Sequence, residues 1–335
     1  MKYLLTVLSL FLLSFQASAT RWYVSPSGTP TADGSSWTAT TTLTSALSRV
    51  VAGDEVWVLQ GTYLPADRPG RNASFRVPAG VRLLGGFAGH ETTRVQRPAS
   101  ARSVLTGNLG DPASAKDNAF TVVTLLANRP AASTLDGFTI TEGSARNFTT
   151  GFSHASAGGG LYVEAAPTFL PAHFVLNCSF VANKGHNGAG AYVAAGNTSF
   201  ENCDFRDNVA DFKGGGVYVQ GAGTEANVRF HECTFESNGA KYGGALANNG
   251  ENGVVHPLLV RCNFVLNVAK SNAAAIYNMT NETGECSVVT EQCLFDGNES
   301  ILGDDIFTKG AKRSLADLQQ SANESEVIIS GAARR

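Results

Sequence analysis

Four side chains of mixed charge lie just before a cysteine that recurs along the chain. Glu201 and His231 come two residues before successive copies of this cysteine, and Glu232 and Arg261 come one residue before. Carboxylates beside an imidazole or a guanidinium are the groups that acid–base cleavage of a polysaccharide needs. The same groups would also form ordinary ion pairs on a solvated face, which is the interpretation we favour. They are the candidate catalytic residues if the protein is an enzyme.

Two acidic residues on adjacent repeats could bind a cation. Asp207 and Glu236 come four and three residues after their respective cysteines. Carboxylate oxygens are ligands for Ca²⁺, so this pair is a weak calcium candidate. The sequence has no Cys-x-x-Cys or paired-histidine spacing of the kind that holds zinc. Apart from that calcium site, we expect no cofactor.

A file of aromatic residues also recurs with the repeat and is interrupted at Ala247. Each aromatic residue follows an apolar residue, so if the apolar residue points inward, the aromatic ring points outward. An exposed stripe of this kind would stack on sugar rings or on a partner protein. Alternatively, the variable loops cover the file and make it a satellite core. The candidate binding residues are Tyr162, Tyr192, Tyr218, Tyr277 and Phe307.

All these residues belong to a repeated pair of phrases. The first, C-x-F-x-x-N, occurs five times between residues 177 and 298, with cysteines spaced by 25, 30, 29 and 31 residues. Cys and Phe at positions i and i+2 face the same side of a strand, and the Asn tolerates a tight or left-handed turn. The second phrase opens with small residues, mostly glycine, that suit a bend where backbones stack closely. Each unit therefore predicts a strand, a turn, a corner, a second strand and a variable loop.

A repeat of this length indicates a solenoid, because one unit cannot bury its apolar face alone. Stacking the units in register predicts an all-β, single-stranded parallel β-helix whose coils lie roughly 4.8 Å apart. Another apolar residue comes three positions before each of the first four cysteines, as at Val175 and Phe200. In one flat strand, a residue three positions before the cysteine would face the opposite side from it. We therefore expect a corner between this residue and the cysteine.

The cysteines allow two interpretations. Five of them, Cys178, Cys203, Cys233, Cys262 and Cys293, share one repeat position and would form a ladder inside the coil. We favour free thiols that pack as small hydrophobic groups. The strand spacing also permits a bridge between adjacent coils. Cys286 is off the ladder, and Cys293 would be its partner if it has one.

The chain divides into four segments. Residues 1–19 have the pattern of a signal peptide, with Lys2, an apolar run and Ala17-Ser18-Ala19 as the cleavage site. Residues 20–134 are predicted to form an N-terminal cap and irregular coils, with a short capping helix over Thr44–Val51. Residues 135–308 form the regular repeats, and residues 309–335 a C-terminal cap or tail.

Composition narrows the possible partners. The chain has 25 basic and 28 acidic residues, a net charge of −3, and no basic stripe. We therefore expect no binding to nucleic acid. The apolar run near the N-terminus is too short to span a membrane, and no later stretch is apolar enough, so no transmembrane segment is predicted. The sequence does not indicate an oligomeric state.

The paired phrases, F-x-x-N and G-G-A-aliphatic, resemble the repeats of polymorphic outer-membrane proteins. Four further segments are similar to secreted bacterial β-helix proteins that carry those repeats: YVSPSG, AGDEVWVLQGTY, GVRLLGGFAG and LDGFTITEG. This resemblance implies a right-handed, pectate-lyase-like β-helix at a bacterial surface, in a family often associated with adhesion. The repeat GGALAN (243–248) fits the G-G-A motif directly, whereas GAGAYV, AAAIYN and GDDIFT depart from it.

Two functions follow from these observations. The first is a secreted or surface-exposed, adhesin-like binding protein that recognises a glycan or a cell-surface protein, and this is the function we expect. The alternative is a polysaccharide lyase or glycoside hydrolase, because such activities are common on this fold. A shared fold does not supply an active site. At the position between the cysteine and the phenylalanine of each repeat, no pair of acids of the kind that such an enzyme would need is stacked.

Overall fold

The computed structural model describes residues 19–98, 101–147, 153–166, 172–194, 196–221, 223 and 225–309. Within these residues the strands form four sheets, and every paired strand runs parallel to its neighbour. Each coil of the chain passes through sheets 1, 2, 3 and 4 in turn before the next coil returns to sheet 1; the first coils omit sheet 3. Parallel crossovers are right-handed in nearly all proteins. The fold is a right-handed parallel β-helix, as predicted.

Sheets 1 and 2 meet at the corner that precedes the repeated cysteine. Sheet 1 contains Arg21–Val24, Glu55–Leu59, Arg82–Phe87, Ser133–Asp136, Ala172–Leu176, Gly196–Glu201, Glu225–His231, Val254–Val255, Leu258–Val260, Glu285–Cys286 and Val289–Glu291. Sheet 2 contains Gly61–Tyr63, Ser103–Thr106, Phe138–Thr141, Ser179–Val181, Asp204–Arg206, Thr234–Glu236, Asn263–Val265 and Leu294–Asp296.

Sheets 3 and 4 complete each coil. Sheet 3 contains Ser144–Ala145, Lys184–Asn187, Val209–Lys213, Gly239–Ala240, Val268–Ala269 and Glu299–Ser300. Sheet 4 contains Phe75–Val77, Val123–Leu125, Leu161–Val163, Ala191–Val193, Val217–Gln220, Leu246–Asn249, Ile276–Met279 and Ile306–Lys309. Short 3₁₀ turns lie at Gly70–Asn72 and Arg94–Gln96.

The corner between sheets 1 and 2 is made by the residue before each cysteine. That residue has a left-handed backbone, with φ between 50° and 53°, in all five repeats: Asn177, Asn202, Glu232, Arg261 and Gln292. The bend reverses the parity of the strand, so the cysteine and the residue three positions earlier both face the interior. Val175 and Phe200 are accordingly fully buried. The predicted corner is confirmed.

The interior is filled by ladders of identical side chains. The phenylalanine rings of the first phrase stack with centroids 4.8 to 4.9 Å apart and planes within 9° of parallel. They belong to Phe180, Phe205, Phe235, Phe264 and Phe295. All six cysteines are free and buried. The Sγ of Cys203 donates to the carbonyl of Val175 on the preceding coil, at 3.3 Å. The thiols therefore pack in the core as the favoured interpretation predicted.

The repeated asparagine lies in the predicted turn, but the left-handed residue of that turn is the one before it, as Asp207 shows with φ 56°. The asparagine points inward and forms a ladder. The Nδ2 of Asn208 donates to the Phe180 carbonyl at 2.9 Å and to the Oδ1 of Asn238 at 3.0 Å. Each amide therefore satisfies backbone groups that the turn leaves without a sheet partner.

Glycine is favoured where the second phrase begins. Gly214 has φ 64°, and a Cβ there would lie 2.2 Å from the carbonyl oxygen of Val217. Close approach and positive φ together explain the repeated glycine at this corner. Ala273 occupies the equivalent place with φ 57°. The corner geometry is thus kept even where the glycine is lost.

A short helix covers the N-terminal end of the solenoid. It spans Leu43–Arg49. Thr42 is its N-cap, and the Thr42 Oγ1 accepts a hydrogen bond from the Ser45 amide at 3.2 Å. It packs on the first strands of sheets 1 and 4 and buries Ala46 and Leu47 in the common core. The capping helix is confirmed, although it ends before Val50, where the backbone is extended. A cap is needed because the first coil has no neighbour on its outer side.

In the part of the chain that the structure describes, no helix has the length and apolar character to cross a membrane. The predicted signal peptide, residues 1–19, lies outside the described residues except for Ala19. The predicted C-terminal cap or tail, residues 309–335, lies outside them except for Lys309. Both assignments stay predictions.

Candidate functional site

The structure brings the candidate catalytic residues together on the outer corner between sheets 1 and 2. Glu201 and His231 are register partners. The Nε and Nη2 atoms of Arg261 donate to the Oε1 of Glu232 at 3.0 and 2.9 Å, and Nη2 also contacts the His231 ring. The side chains of Arg261 and Glu232 are 46% and 52% exposed. Such an exposed pair contributes little energy and is typical of a solvated face.

The same corner carries a purely structural ladder in earlier coils. The carboxylate of Asp136 accepts from Arg97 at 2.7 Å and from the Nδ2 of Asn177 at 2.9 Å. Asn202 donates to the Oδ1 of Asn177 at 2.8 Å. The cluster at Glu232 and Arg261 continues this ladder of polar contacts between coils. The geometry shows the ion pair that the favoured interpretation predicted.

The candidate calcium pair lies on neighbouring coils. The backbone amide of Asp207 donates to the carbonyl of Glu236 at 3.2 Å. Asp207 is exposed at its corner, and Glu236 is partly exposed. Across the described residues, no three or more His, Cys, Asp or Glu side chains are grouped so as to hold a metal ion. A calcium site at this pair stays a prediction.

The aromatic file is stacked as predicted but is not an exposed stripe. Tyr192, Tyr218 and Tyr277 are 2%, 0% and 5% exposed. Ring centroids lie 5.0 Å apart between Tyr162 and Tyr192 and 5.5 Å apart between Tyr192 and Tyr218. These rings form a second apolar cluster with Ala157, Ala247, Ala273 and Met279. The expectation of an exposed file is wrong for the three central tyrosines, and the satellite core is the correct alternative.

The ends of the file are more accessible than its centre. Tyr162 and Phe307 are only partly buried. Burial raises the pKa of Tyr162, Tyr192 and Tyr218, so these hydroxyls stay neutral at ordinary pH. The Tyr218 hydroxyl donates to the Oε1 of Gln220 at 2.9 Å. The central rings therefore stabilise the fold and are not available to stack on a ligand.

A different aromatic surface lies where sheet 3 turns into sheet 4. Phe212 stacks on His186 at 5.7 Å and meets Tyr242 edge-on at 5.5 Å. All three rings are half-buried. Tyr242 also stacks on Tyr277 at 5.0 Å, so this surface continues from the buried file. With two neighbouring lysines, these rings form the aromatic–lysine patch: His186, Phe212, Lys213, Lys241 and Tyr242.

The lysines give the aromatic–lysine patch a positive edge. The Nζ of Lys213 lies 4.9 Å from the Phe212 ring centroid, and the Nζ of Lys241 lies 5.7 Å from Phe212 and 5.3 Å from Tyr242. Burial lowers the pKa of Lys213, and the nearby Glu251 carboxylate opposes that shift. Asp211 is paired with Arg146 at 3.1 Å. An anion that touches these rings is within reach of both ammonium groups.

Sequence reasoning missed this patch because its three rings do not all share one position in the repeat. His186 and Phe212 come two residues before a glycine, whereas Tyr242 comes one residue before. The number of residues at this corner varies from coil to coil. A search for aromatic or basic residues just before each small-residue phrase would have found them.

The chain matches few known proteins. A scan against protein-family models finds no match, and a search of curated proteins finds none. Among solved structures, the crystal structure of pectate lyase Pel9A is similar, with a TM-score of 0.44 and 13% sequence identity over 91% of this chain and 84% of that chain. The parallel β-helix itself is established by the strand register of the chain.

Proposed function

We propose that this protein is a non-catalytic β-helix binding protein that recognises an acidic polysaccharide through the aromatic–lysine patch. The observation that carries the proposal is the row of half-buried rings bordered by Lys213 and Lys241 on a rigid edge of the solenoid. Flat rings accept the apolar faces of sugars, and ammonium groups pair with their carboxylates. Strands of sheet 3 carry His186, Phe212 and Lys213, so the scaffold fixes where these side chains start.

The cellular setting belongs to the same proposal. The signal-peptide pattern at residues 1–19 and the resemblance to polymorphic outer-membrane protein repeats support export to a bacterial cell surface. An exported protein would meet polysaccharides outside the cell. The binding experiment uses the purified protein, so its result does not depend on the route of export or on attachment to the outer membrane.

Affinity electrophoresis tests the binding proposal. The protein should be retarded in gels that contain polygalacturonate, and less in gels that contain neutral galactan. Phe212→Ala combined with Lys241→Ala should weaken the retardation about tenfold, because a stacking ring and a charge are lost together. Phe174→Ala, which removes a 41% exposed ring from the outer face of sheet 1, is the matched control and should bind as wild type.

Two outcomes would contradict the proposal. Equal retardation of the double variant and wild type would exclude the aromatic–lysine patch as the binding site. Absence of retardation by any acidic polysaccharide would exclude the ligand class. The enzymatic alternative is tested in parallel: we expect no release of unsaturated or reducing sugars, with or without Ca²⁺. Turnover that disappears in Glu232→Ala or Arg261→Ala would establish the lyase or hydrolase instead.

A further inference from the structure

A polar cleft lies at the N-terminal end of sheet 4, far along the solenoid from the aromatic–lysine patch. It is an open space of about 350 Å³ between the capping helix and the strand Phe75–Val77. That volume is at the small end of the roughly 300–1,000 Å³ range of ligand pockets. Hydroxyl groups dominate its polar lining, which includes Thr44, Ser45, Ser48, Asp67, Ser74 and Arg76.

An ion pair forms one border of the cleft. The Nη2 of Arg76 lies 3.2 Å from the Oε1 of Glu164, which follows a strand two coils further along sheet 4. Both side chains are about one-third exposed, at 30% and 33%. Beneath them, the hydroxyls of Ser74 and Thr124 are hydrogen-bonded at 2.9 Å. A planar guanidinium beside a carboxylate presents donors and acceptors side by side to a bound molecule.

The charges of this site balance. Asp67 accepts from the Ser74 amide at 2.7 Å and lies 3.8 Å from Arg68. His154 lies close enough to these charged groups to interact with them. Burial and the Arg76 and Arg68 charges lower the pKa of His154. The imidazole is therefore neutral at pH 7, with one donor and one acceptor nitrogen. Paired acids and bases leave a site without the excess positive charge that would select an anion.

An aromatic ring continues the same outer face. Arg76, Thr124 and Tyr162 occupy one register column on three successive coils. Tyr162 is partly buried and is the accessible end of the stacked file. A ligand that leaves the cleft along sheet 4 would therefore pass the ion pair and reach this ring.

We propose that this cleft binds a neutral sugar of one or two rings. Hydroxyls of the capping helix meet the sugar inside the cleft, while Arg76 and Glu164 bind adjacent hydroxyls at its border. Tyr162 receives the apolar face of the second ring. This site is independent of the aromatic–lysine patch, because the two share no residue and differ in charge.

Saturation-transfer difference NMR tests this site with three probes: lactose, cellobiose and galacturonic acid. Wild-type protein should transfer saturation to at least one of the two disaccharides and more weakly to the acid. Ser48→Phe should reduce that signal at least fivefold, because the new ring fills the cleft. Ser48 is exposed on the capping helix, and its hydroxyl donates to the Ser45 carbonyl within that helix at 2.9 Å, so folding should be unaffected.

A second variant tests the border of the site. Arg76→Gln should weaken disaccharide binding, whereas Arg82→Gln, which breaks the 3.1 Å ion pair with Glu55 on sheet 1, should not. No transfer to either disaccharide, or an unchanged signal in Ser48→Phe, would overturn the proposal. A stronger signal from galacturonic acid would overturn the neutral assignment. The Phe212→Ala, Lys241→Ala protein should still bind the disaccharide at the cleft, even if it no longer binds polygalacturonate.

Discussion

His173 is a histidine inside an otherwise apolar and hydroxyl-lined interior. It is fully buried on sheet 1 between its register partners Ser133 and Thr198, and neither ring nitrogen has a hydrogen-bond partner in the part of the chain that the structure describes. Burial lowers its pKa to about 4. The imidazole is therefore held neutral in the folded protein well below the pH at which a free histidine becomes charged.

This histidine predicts a pH dependence of stability. In the unfolded chain His173 takes up a proton near pH 6.5, whereas the folded protein resists until about pH 4. Its contribution is therefore complete above pH 6.5 and is lost as the pH falls from 6.5 to 4, by about 3 kcal/mol in total. Urea unfolding at pH 7, 5.5 and 4.5 should show a shallower decline for His173→Leu than for wild type. Parallel declines would show that this imidazole does not resist protonation.

The asparagine ladder makes a single amide important. The Nδ2 of Asn238 donates to the Phe205 carbonyl at 2.8 Å and to Asn267 at 3.0 Å, while its Oδ1 accepts from the Asn208 amide at 3.1 Å. Asn238→Ala leaves these buried groups unpaired and should destabilise the fold by about 3 kcal/mol, measured by urea unfolding. Asn227→Ala, which removes a contact with Glu225 on the surface, should cost less than about 0.5 kcal/mol. Similar losses in both variants would refute a special role for the ladder.

At the scale of the elements, the cysteine column behaves as one unit. Burial raises the pKa of Cys178 and Cys286 to about 12, and the neighbouring Cys233 thiol is the largest cause that raises Cys262 to about 12. Native protein at pH 8 should therefore react at none of its six thiols with iodoacetamide, because the thiolate is the nucleophile. Denatured, unreduced protein should react at all six by mass spectrometry. Reaction at only four thiols would show that one disulfide is present, which is the alternative of a bridge between adjacent coils.

The sequence predicted those elements whose side chains repeat in register. Cys203 and Phe205 identified an inward strand, and the parity of Phe200 identified the corner at Asn202. The individual hydrogen bonds of Asn208 were not predicted, because they depend on the coils above and below. The sequence pattern showed that the residue recurs but did not show which backbone groups it would meet.

The candidate sites were predicted less well than the fold. The aromatic file was found, but its burial depends on residues such as Ala157 and Met279 from other coils. The polar cleft joins the capping helix to Arg76 and Glu164, which lie 88 positions apart in sequence. No spacing rule connects such residues. A site that forms between coils becomes visible only once the register is known.

At the scale of the molecule, the solenoid should tolerate loss of a whole coil. Glu225 and Val254 are register partners, so deletion of 225–253 joins equivalent points of adjacent coils. Phe205 would then face Phe264, and Asn208 would face Asn267. Tyr218 would face Tyr277, because Ala247 separates them now. The Phe, Asn and Tyr ladders would be restored with the same type of partner, whereas Phe200 would face Leu259 in place of Phe230.

The shortened protein should fold with a β-type far-ultraviolet spectrum and a single cooperative urea transition. Its midpoint should be lower, because one interface between neighbouring coils is lost while the others are kept. Deletion of 225–238 provides the control, since it joins non-equivalent points and would place Gly239 where a strand of sheet 1 should begin. We expect that protein to aggregate, because unpaired strand edges and core residues would be exposed. If the 225–253 deletion fails to fold, the coils are not interchangeable units. If the control deletion also folds, equivalence of the joined points is not what permits folding.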